Sequence, residues 1–291
     1  NIKKKLPKVA VIIPFYNNED TLKYSILSIV KQTYLNIELI VINDGSIDNS
    51  LKSIKKLKDI YKFKIYNFKS NKGLVFRLNQ MVKITDANYL ARMDADDLSH
   101  PDRILNQMFE FYLNDNLDIV STSCAIINKK FNVVGIRDNF KQPLIKDFIN
   151  QGGFIHASVL FKRKILLKYK YDGNFFRAED RELFLRIFNY IKYIRVNEPL
   201  YIVSEYDKIN YNKMKQGYIS ERKAIKLHIR KYYNWVFANL FLARNLIKII
   251  IFEIAYFINI SDFLKYKKGG LYFGEYFVIQ KEVNKILNKS Q

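Results

Sequence analysis

The sequence predicts an α/β fold: a mostly parallel, twisted sheet with helices on both faces, followed by a helical region rich in basic and aromatic residues. Three observations carry that prediction. Short apolar runs alternate with segments of helical spacing four times before residue 116. Each run ends in a polar or glycine-containing turn. From about residue 207 onward the pattern becomes helical, basic and aromatic.

The elements follow in order. Residues 9–14 form a short apolar strand, closed by Asn17, Asn18, Glu19 and Asp20. Residues 21–32 place Leu22, Ile26, Ile29 and Val30 at helical spacing. Residues 37–42 read as a strand of the buried, parallel kind. It ends at Asn43-Asp44-Gly45-Ser46, with Asp48 placed to cap a helix carrying Leu51, Ile54 and Leu57. A third strand over residues 63–68 ends at Asn71-Lys72-Gly73, before a helix through Leu78, Met81 and Val82. Residues 89–93 run straight into Asp94-Ala95-Asp96-Asp97, and Pro101 suits the first turn of a helix through Ile104, Met108 and Phe111.

Beyond residue 116, residues 117–123 and 125–135 read as strands, partly antiparallel about Asn128, Lys129 and Lys130. Residues 158–161 form another short strand, and residues 179–191 a helix with an acidic first turn. Residues 236–260 are the most apolar stretch, but Arg244, Lys248 and Glu253 interrupt them. An amphipathic helix pair is therefore expected there rather than a spanning helix. The chain divides into residues 1–205 and a helical C-terminal region, 206–291.

Composition narrows the chemistry. Cys124 is the only cysteine, which excludes a disulfide framework and a thiolate metal site and fits a reducing, cytoplasmic setting. No signal-peptide core follows the N-terminal lysines. The net charge of +21 points to polyanionic company, whether nucleic acid, an anionic membrane surface or phosphorylated substrates, or else to a lysine-rich solvated surface.

Ligands of parallel sheets bind beyond the carboxyl ends of the strands, where Asp44, Asn71 and the cluster from Asp94 to Asp97 all lie. These groups are expected to converge on one crevice. Closely spaced carboxylates repel unless a cation neutralises them, and Mg²⁺ and Mn²⁺ share oxygen ligands readily with a diphosphate. The plainer reading of the cluster is an acidic turn before the next helix; that of Asp44-Gly45-Ser46 is turn chemistry, and that of Lys72 a solvated side chain. The first strand is not followed by Gly-x-Gly-x-x-Gly or by a Walker loop, which disfavours dinucleotide oxidoreductases and P-loop enzymes.

The ordered motifs identify a resemblance. They are Val11-Ile12-Ile13-Pro14-Phe15-Tyr16-Asn17, Ser28-Ile29-Val30-Lys31-Gln32-Thr33-Tyr34, the run from Glu38 to Asp48, Asn71-Lys72-Gly73, Met93-Asp94-Ala95-Asp96-Asp97, Ile155-His156-Ala157-Ser158-Val159 and Ala178-Glu179-Asp180. Together they resemble a bacterial family 2 glycosyltransferase with the Rossmann-like GT-A fold, over roughly residues 9–200.

The resemblance implies a catalytic domain over 1–205, with a nucleotide-binding part to residue 115 and an acceptor side after it. Pro14, Tyr16 and Glu19 would line the nucleotide pocket and Asp44 would read the base, most often uracil. Asn71, Lys72, Asp94 and Ala95 would border the donor, and Asp96, with Asp94 and His156, would bind Mn²⁺ or Mg²⁺. Asp180 would be the general base that deprotonates an acceptor hydroxyl. The implied partners are a nucleotide-sugar donor and a glycan or polyprenyl-linked acceptor, with one sugar moved per acceptor in surface polysaccharide synthesis.

Two departures stand out. Asn43 occupies a position where many relatives carry aspartate, and the Gln-x-x-Arg-Trp motif of processive synthases is absent: the only tryptophan, Trp235, follows Tyr233-Asn234. His100 is a weaker candidate than His156 for phosphate or metal, and His228 reads as a surface residue. Tyr232, Tyr233, Trp235, Phe237, Phe241 and Lys248 could form a face for an anionic membrane at the inner side of the plasma membrane, or equally a packing face. A sugar-nucleotide nucleotidyltransferase would need a glycine-rich loop where Phe15-Tyr16-Asn17-Asn18 stands, and a nucleic-acid-binding protein would show a recognisable module.

Overall fold

The computed structural model describes residues 6–137, 142–150, 153–205, 211–258 and 273–288. Nine strands form one sheet. The N-terminal four are β1 (Val9–Phe15), β2 (Ile37–Asp44), β3 (Lys64–Phe68) and β4 (Tyr89–Arg92). They are parallel, in the order β3-β2-β1-β4. The order continues through β8 (Leu160–Lys162), β6 (Ile119–Ile127), β9 (Tyr193–Ser204) and β5 (Leu98–Ser99), with β7 (Val133–Arg137) paired to β6. In this second half only β6 and β9 run parallel.

Successive residues of β1 enter opposite cores, as the period of two in a strand requires. Ala10 and Ile12 join the core under α4 (Leu74–Met81), α6 (Ile145–Asn150) and α8 (Glu179–Ile187), while Val9, Val11 and Ile13 join that under α1 (Leu22–Val30) and α5 (Arg103–Leu113). Both faces are therefore dry, and each fully buried aliphatic side chain contributes about 1.5–3 kcal/mol. Pro14 fits a central strand because pairing with β4 stops at Ile12 and Arg92, so no acceptor waits on its N side.

Several elements differ from the sequence expectation, among them the helix pair expected over residues 236–260, which is one unbroken helix, Trp235–Phe257. Residues 119–127 are one strand rather than two broken at Cys124, because all nine are buried between β8, β9 and β7. β9 was hidden by Glu198 and Pro199; the register slips from Thr122–Val196 to Cys124–Tyr201, so the strand bulges around the proline that cannot donate. The helix expected over 179–191 ends at Ile187 and tightens into a 3-10 turn, Phe188–Tyr190.

The C-terminal region makes two separate contacts. Helices α9 (Tyr211–His228) and α10 (Trp235–Phe257) pair with each other, stacking Tyr211 on Tyr256 and setting Tyr218 edge-on to Phe252. His228 is buried, not on the surface: its Nε2 lies 3.0 Å from Glu182 Oε1 on α8. Helix α11 (Phe273–Asn288) docks elsewhere, burying Ile279, Val283 and Ile286 against Leu98, Ala125, Ile127 and Val133. Lys31 Nζ donates to the carbonyls of Lys285 and Ile286 at 3.0 Å and so caps that helix from the far end of the sequence.

Candidate active site

The loops after β1 and β2 are laced together. Asn17 N donates to Ser46 Oγ at 3.0 Å, and Ile47 N returns a bond to Asn17 Oδ1 at 3.0 Å. Asn17 takes a positive φ of 55°, which asparagine tolerates. Glu19 is committed to the same brace: its N donates to Asp48 Oδ2 and its Oε2 accepts from Asn49 N at 2.8 Å. Pro14 lies at the end of β1, and Tyr16 is exposed beside this brace.

Asp44 organises the next loop. Its carboxylate accepts from Lys72 N and Gly73 N, each at 2.9 Å, and from Arg77 Nε at 2.7 Å. Arg77 is buried, donates onward to Ser70 O at 3.0 Å and lies over the Phe68 ring. Asn71 folds back on Gly73 N, while Lys72 Nζ reaches over Phe76. The ends of β2 and β3 thus meet as expected, but the buried Asp44 carboxylate holds the loop through which Asn71 and Lys72 project.

The acidic loop after β4 is held by α1. Thr21, Ser25, Ser28 and Gln32 form a polar stripe three or four residues apart. Thr21 Oγ1 donates to Ala95 O at 3.0 Å, Ser25 Oγ to Asp97 O at 2.7 Å and Gln32 Nε2 to His100 O at 2.7 Å. Ala95 is therefore a buried anchor, and His100 is tied down where its Nδ1 accepts from Asp102 N. Asp97 is structural: Tyr201 Oη and Ser204 N both donate to it at 2.8 Å. Burial, then Asp94 and Asp96, push its carboxyl well above the usual range.

Asp94 and Asp96 remain partly exposed. Asp94 lines a cleft of about 440 Å³ whose other wall carries Glu179 and Asp180 at the start of α8. Arg92 lies between these walls. Its Nη2 donates to Asp94 Oδ1 at 2.5 Å and its Nη1 to His156 Nδ1 at 2.5 Å. Burial opposes the charge on Arg92, but Asp94 and Glu179 outweigh it and strengthen its hold on the proton. A guanidinium can only donate, so His156 Nδ1 accepts and Nε2–H faces Tyr171 Oη at 2.8 Å. Burial, then Arg92, keep this imidazole neutral well below its ordinary pKa.

On the opposite wall, burial and then Asp180 raise Glu179 to about 7, against the pull of Arg92. Burial also raises Asp180, while Arg181 opposes it.

The structure thus brings Asp94, His156 and Asp180 to one cleft, whereas Pro14, Tyr16, Glu19, Asp44, Asn71, Lys72, Ala95 and Asp96 lie outside its lining. Sequence reasoning missed Arg92, Tyr171 and Tyr201 and gave Glu179 no role of its own. Arg92 did leave a signal, a charge inside an apolar strand two residues before Asp94 and so on the same face. The donor set fits a hard cation, being carboxylate oxygens whose mutual repulsion a divalent ion would relieve. Asp94 lies in the cleft with its Oδ1 held by Arg92. Donor atoms of His156, Glu179 and Asp180 also lie within 4.8 Å of one another, but His156 joins a metal only by giving up Arg92 or Tyr171.

Comparison with known proteins agrees with this architecture. Residues 10–170 match the profile of Glycosyl transferase family 2. The chain is 33% identical over 205 residues to the putative glycosyltransferase EpsE of Bacillus subtilis, covering 68% of this chain and 73% of that one. It is 31% identical over 196 residues to the O-antigen biosynthesis glycosyltransferase WbnJ of Escherichia coli, covering 65% and 75%. In fold it is similar to the mannosyltransferase PcManGT of Pyrobaculum calidifontis, solved with GDP-Man and Mn²⁺, with a TM-score of 0.62 at 15% identity and coverage of 97% and 86%. The chain belongs to the family 2 glycosyltransferases.

Proposed function

We propose that the cleft between the acidic loop and α8 transfers one sugar, with inversion, from a nucleotide-sugar to a hydroxyl of a glycan or lipid-linked acceptor of surface polysaccharide. The observation that carries this reading is that Asp94 and Asp180 line one cleft together with Arg92, which is bonded to Asp94. UDP is the nucleotide expected from the family resemblance; the fold neighbour with GDP-Man makes GDP the alternative to test. The O-antigen biosynthesis named for WbnJ supports a polysaccharide setting.

Asp180 is the general base in this reading. It takes the proton from the acceptor hydroxyl as the oxygen attacks the anomeric carbon, opposite the departing diphosphate. Its raised pKa makes it a stronger base than an ordinary aspartate. Asp96 and Asp94 would hold Mn²⁺ or Mg²⁺, which supplies charge neutralisation for the leaving diphosphate. Arg92 fixes Asp94 and keeps His156 neutral behind the reacting groups.

Release of UDP or GDP from a panel of nucleotide-sugars, with Mn²⁺ and with chelator, tests the proposal. Asp96→Asn and Asp180→Asn are each expected to lose about 100-fold or more in turnover. Undiminished turnover in either variant overturns the site assignment.

A further inference from the structure

A second cavity adjoins the catalytic cleft. It is a groove of about 550 Å³ between α6, α9 and α10, lined by Phe241, Ile247 and Ile251 and by the cations Arg244 and Lys248. At its wall Asn245 is 92% buried, and its side-chain oxygen accepts no hydrogen bond among the described residues. A buried amide oxygen without a donor has lost its water partners unreplaced, so a ligand that donates to it recovers that loss.

One ion-pair chain joins the two cavities. Glu221 lines the catalytic cleft, and its Oε2 lies 3.4 Å from Arg181 of that cleft and 3.7 Å from Lys248 of the groove. The groove opens along the outer face of α10, where Leu240, Ile250, Ile254 and Phe257 are about half exposed or more. An 18-residue stretch of that 23-residue helix has a mean hydropathy of 1.6, yet only 17% of it is buried in the protein. An apolar face continuous with a two-cation groove complements an amphiphile carrying an anionic head on a hydrocarbon tail.

We infer that this groove binds the phosphorylated end of a lipid-linked acceptor, with Arg244 and Lys248 on the phosphate and Phe241, Ile247 and Ile251 on the first part of the hydrocarbon. The inference deepens the proposed function, since it rests on the lipid-linked form of the acceptor. It explains why the groove stands beside the general base: the sugar attached to the phosphate extends past Glu221 toward Asp180. Asn245 accepts from a hydroxyl of the head group.

The test is binding of farnesyl diphosphate to the full chain, followed by the fluorescence of Trp235, the sole tryptophan, at the start of the same helix. Saturating UDP, GDP and Mn²⁺ keep the donor site filled. Farnesyl diphosphate is expected to bind at least about tenfold more tightly than inorganic pyrophosphate or farnesol, because head and tail both contribute. The Arg244→Gln/Lys248→Gln double variant, whose side chains lie at the surface, is expected to lose about tenfold or more of that affinity. Equal binding by pyrophosphate, or full affinity in a double variant with wild-type circular dichroism, overturns the inference. Nucleotide release by the wild-type chain without any lipid probe reports on the proposed function separately: release without farnesyl diphosphate binding defeats only the groove, and binding without release defeats only the transferase reading.

Discussion

At the residue scale, the cleft sets a neutral histidine, a committed arginine and two carboxyls of raised pKa against one another. The sign of the pH dependence follows from Glu179. Its folded pKa of about 7 lies above the usual 4.5, so the proton is bound more tightly in the native state. The stability this confers is complete below about pH 4.5 and is lost as pH rises through about 7. Glu179→Gln, which cannot ionise, is expected to stabilise the metal-free protein by about 1–3 kcal/mol at pH 8 and to change it little at pH 5. Urea unfolding at the two pH values measures this, and equal effects at both refute the assignment. Arg92, at the centre of the group, answers for three partners at once, so its replacement would misplace Asp94 and free His156 to titrate.

At the scale of elements, the loops at the carboxyl ends of the strands are rigid because they bond one another. Gly45 shows how closely: its φ is +80°, and a Cβ there would sit 2.8 Å from the backbone of Ser70 and Asn71. Backbone cannot swing aside as a side chain can. Gly45→Ala is expected to cost more than about 1 kcal/mol and to weaken nucleotide binding by displacing the Asn71–Gly73 turn, as thermal unfolding and nucleotide titration would show. An unchanged melting temperature would refute the close approach. The first four strands were legible in the sequence because each is a short apolar run ended by a turn of fixed chemistry. The same holds for the acidic cluster, which needs no distant partner to declare itself. β9 was not legible, since Glu198 and Pro199 break its pattern and only its pairing with β6 makes it a strand. Nor could the sequence show that Thr21, Ser25, Ser28 and Gln32 face a loop rather than water, because their partners lie about 70 residues away. His156 was placed near the donor by its motif, but the direction of its two nitrogens depends on Arg92 and Tyr171, which only the fold brings together.

At the scale of the molecule, the C-terminal region is two devices. The pair of α9 and α10 carries the groove and the apolar outer face, while α11 closes the side of the sheet beneath β5, β6 and β7. Ile286 is fully buried there, so Ile286→Ala is expected to cost about 2–5 kcal/mol, read by chemical denaturation. A cost near zero would show that α11 is not docked in solution. The net charge of +21 is a property of the whole surface and suits the anionic ligands proposed for both cavities.

The bond from Lys31 to the last turn of α11 spans 254 residues of sequence and gives synthesis an order. The N-terminal strands can pair as they leave the ribosome, but Leu98, Ile127 and Val133 stay uncovered until α11 has been translated. At ordinary elongation rates that delay is on the order of tens of seconds. Nascent chains stalled before α11 would therefore present an oily patch to chaperones, and completed ones would hide it.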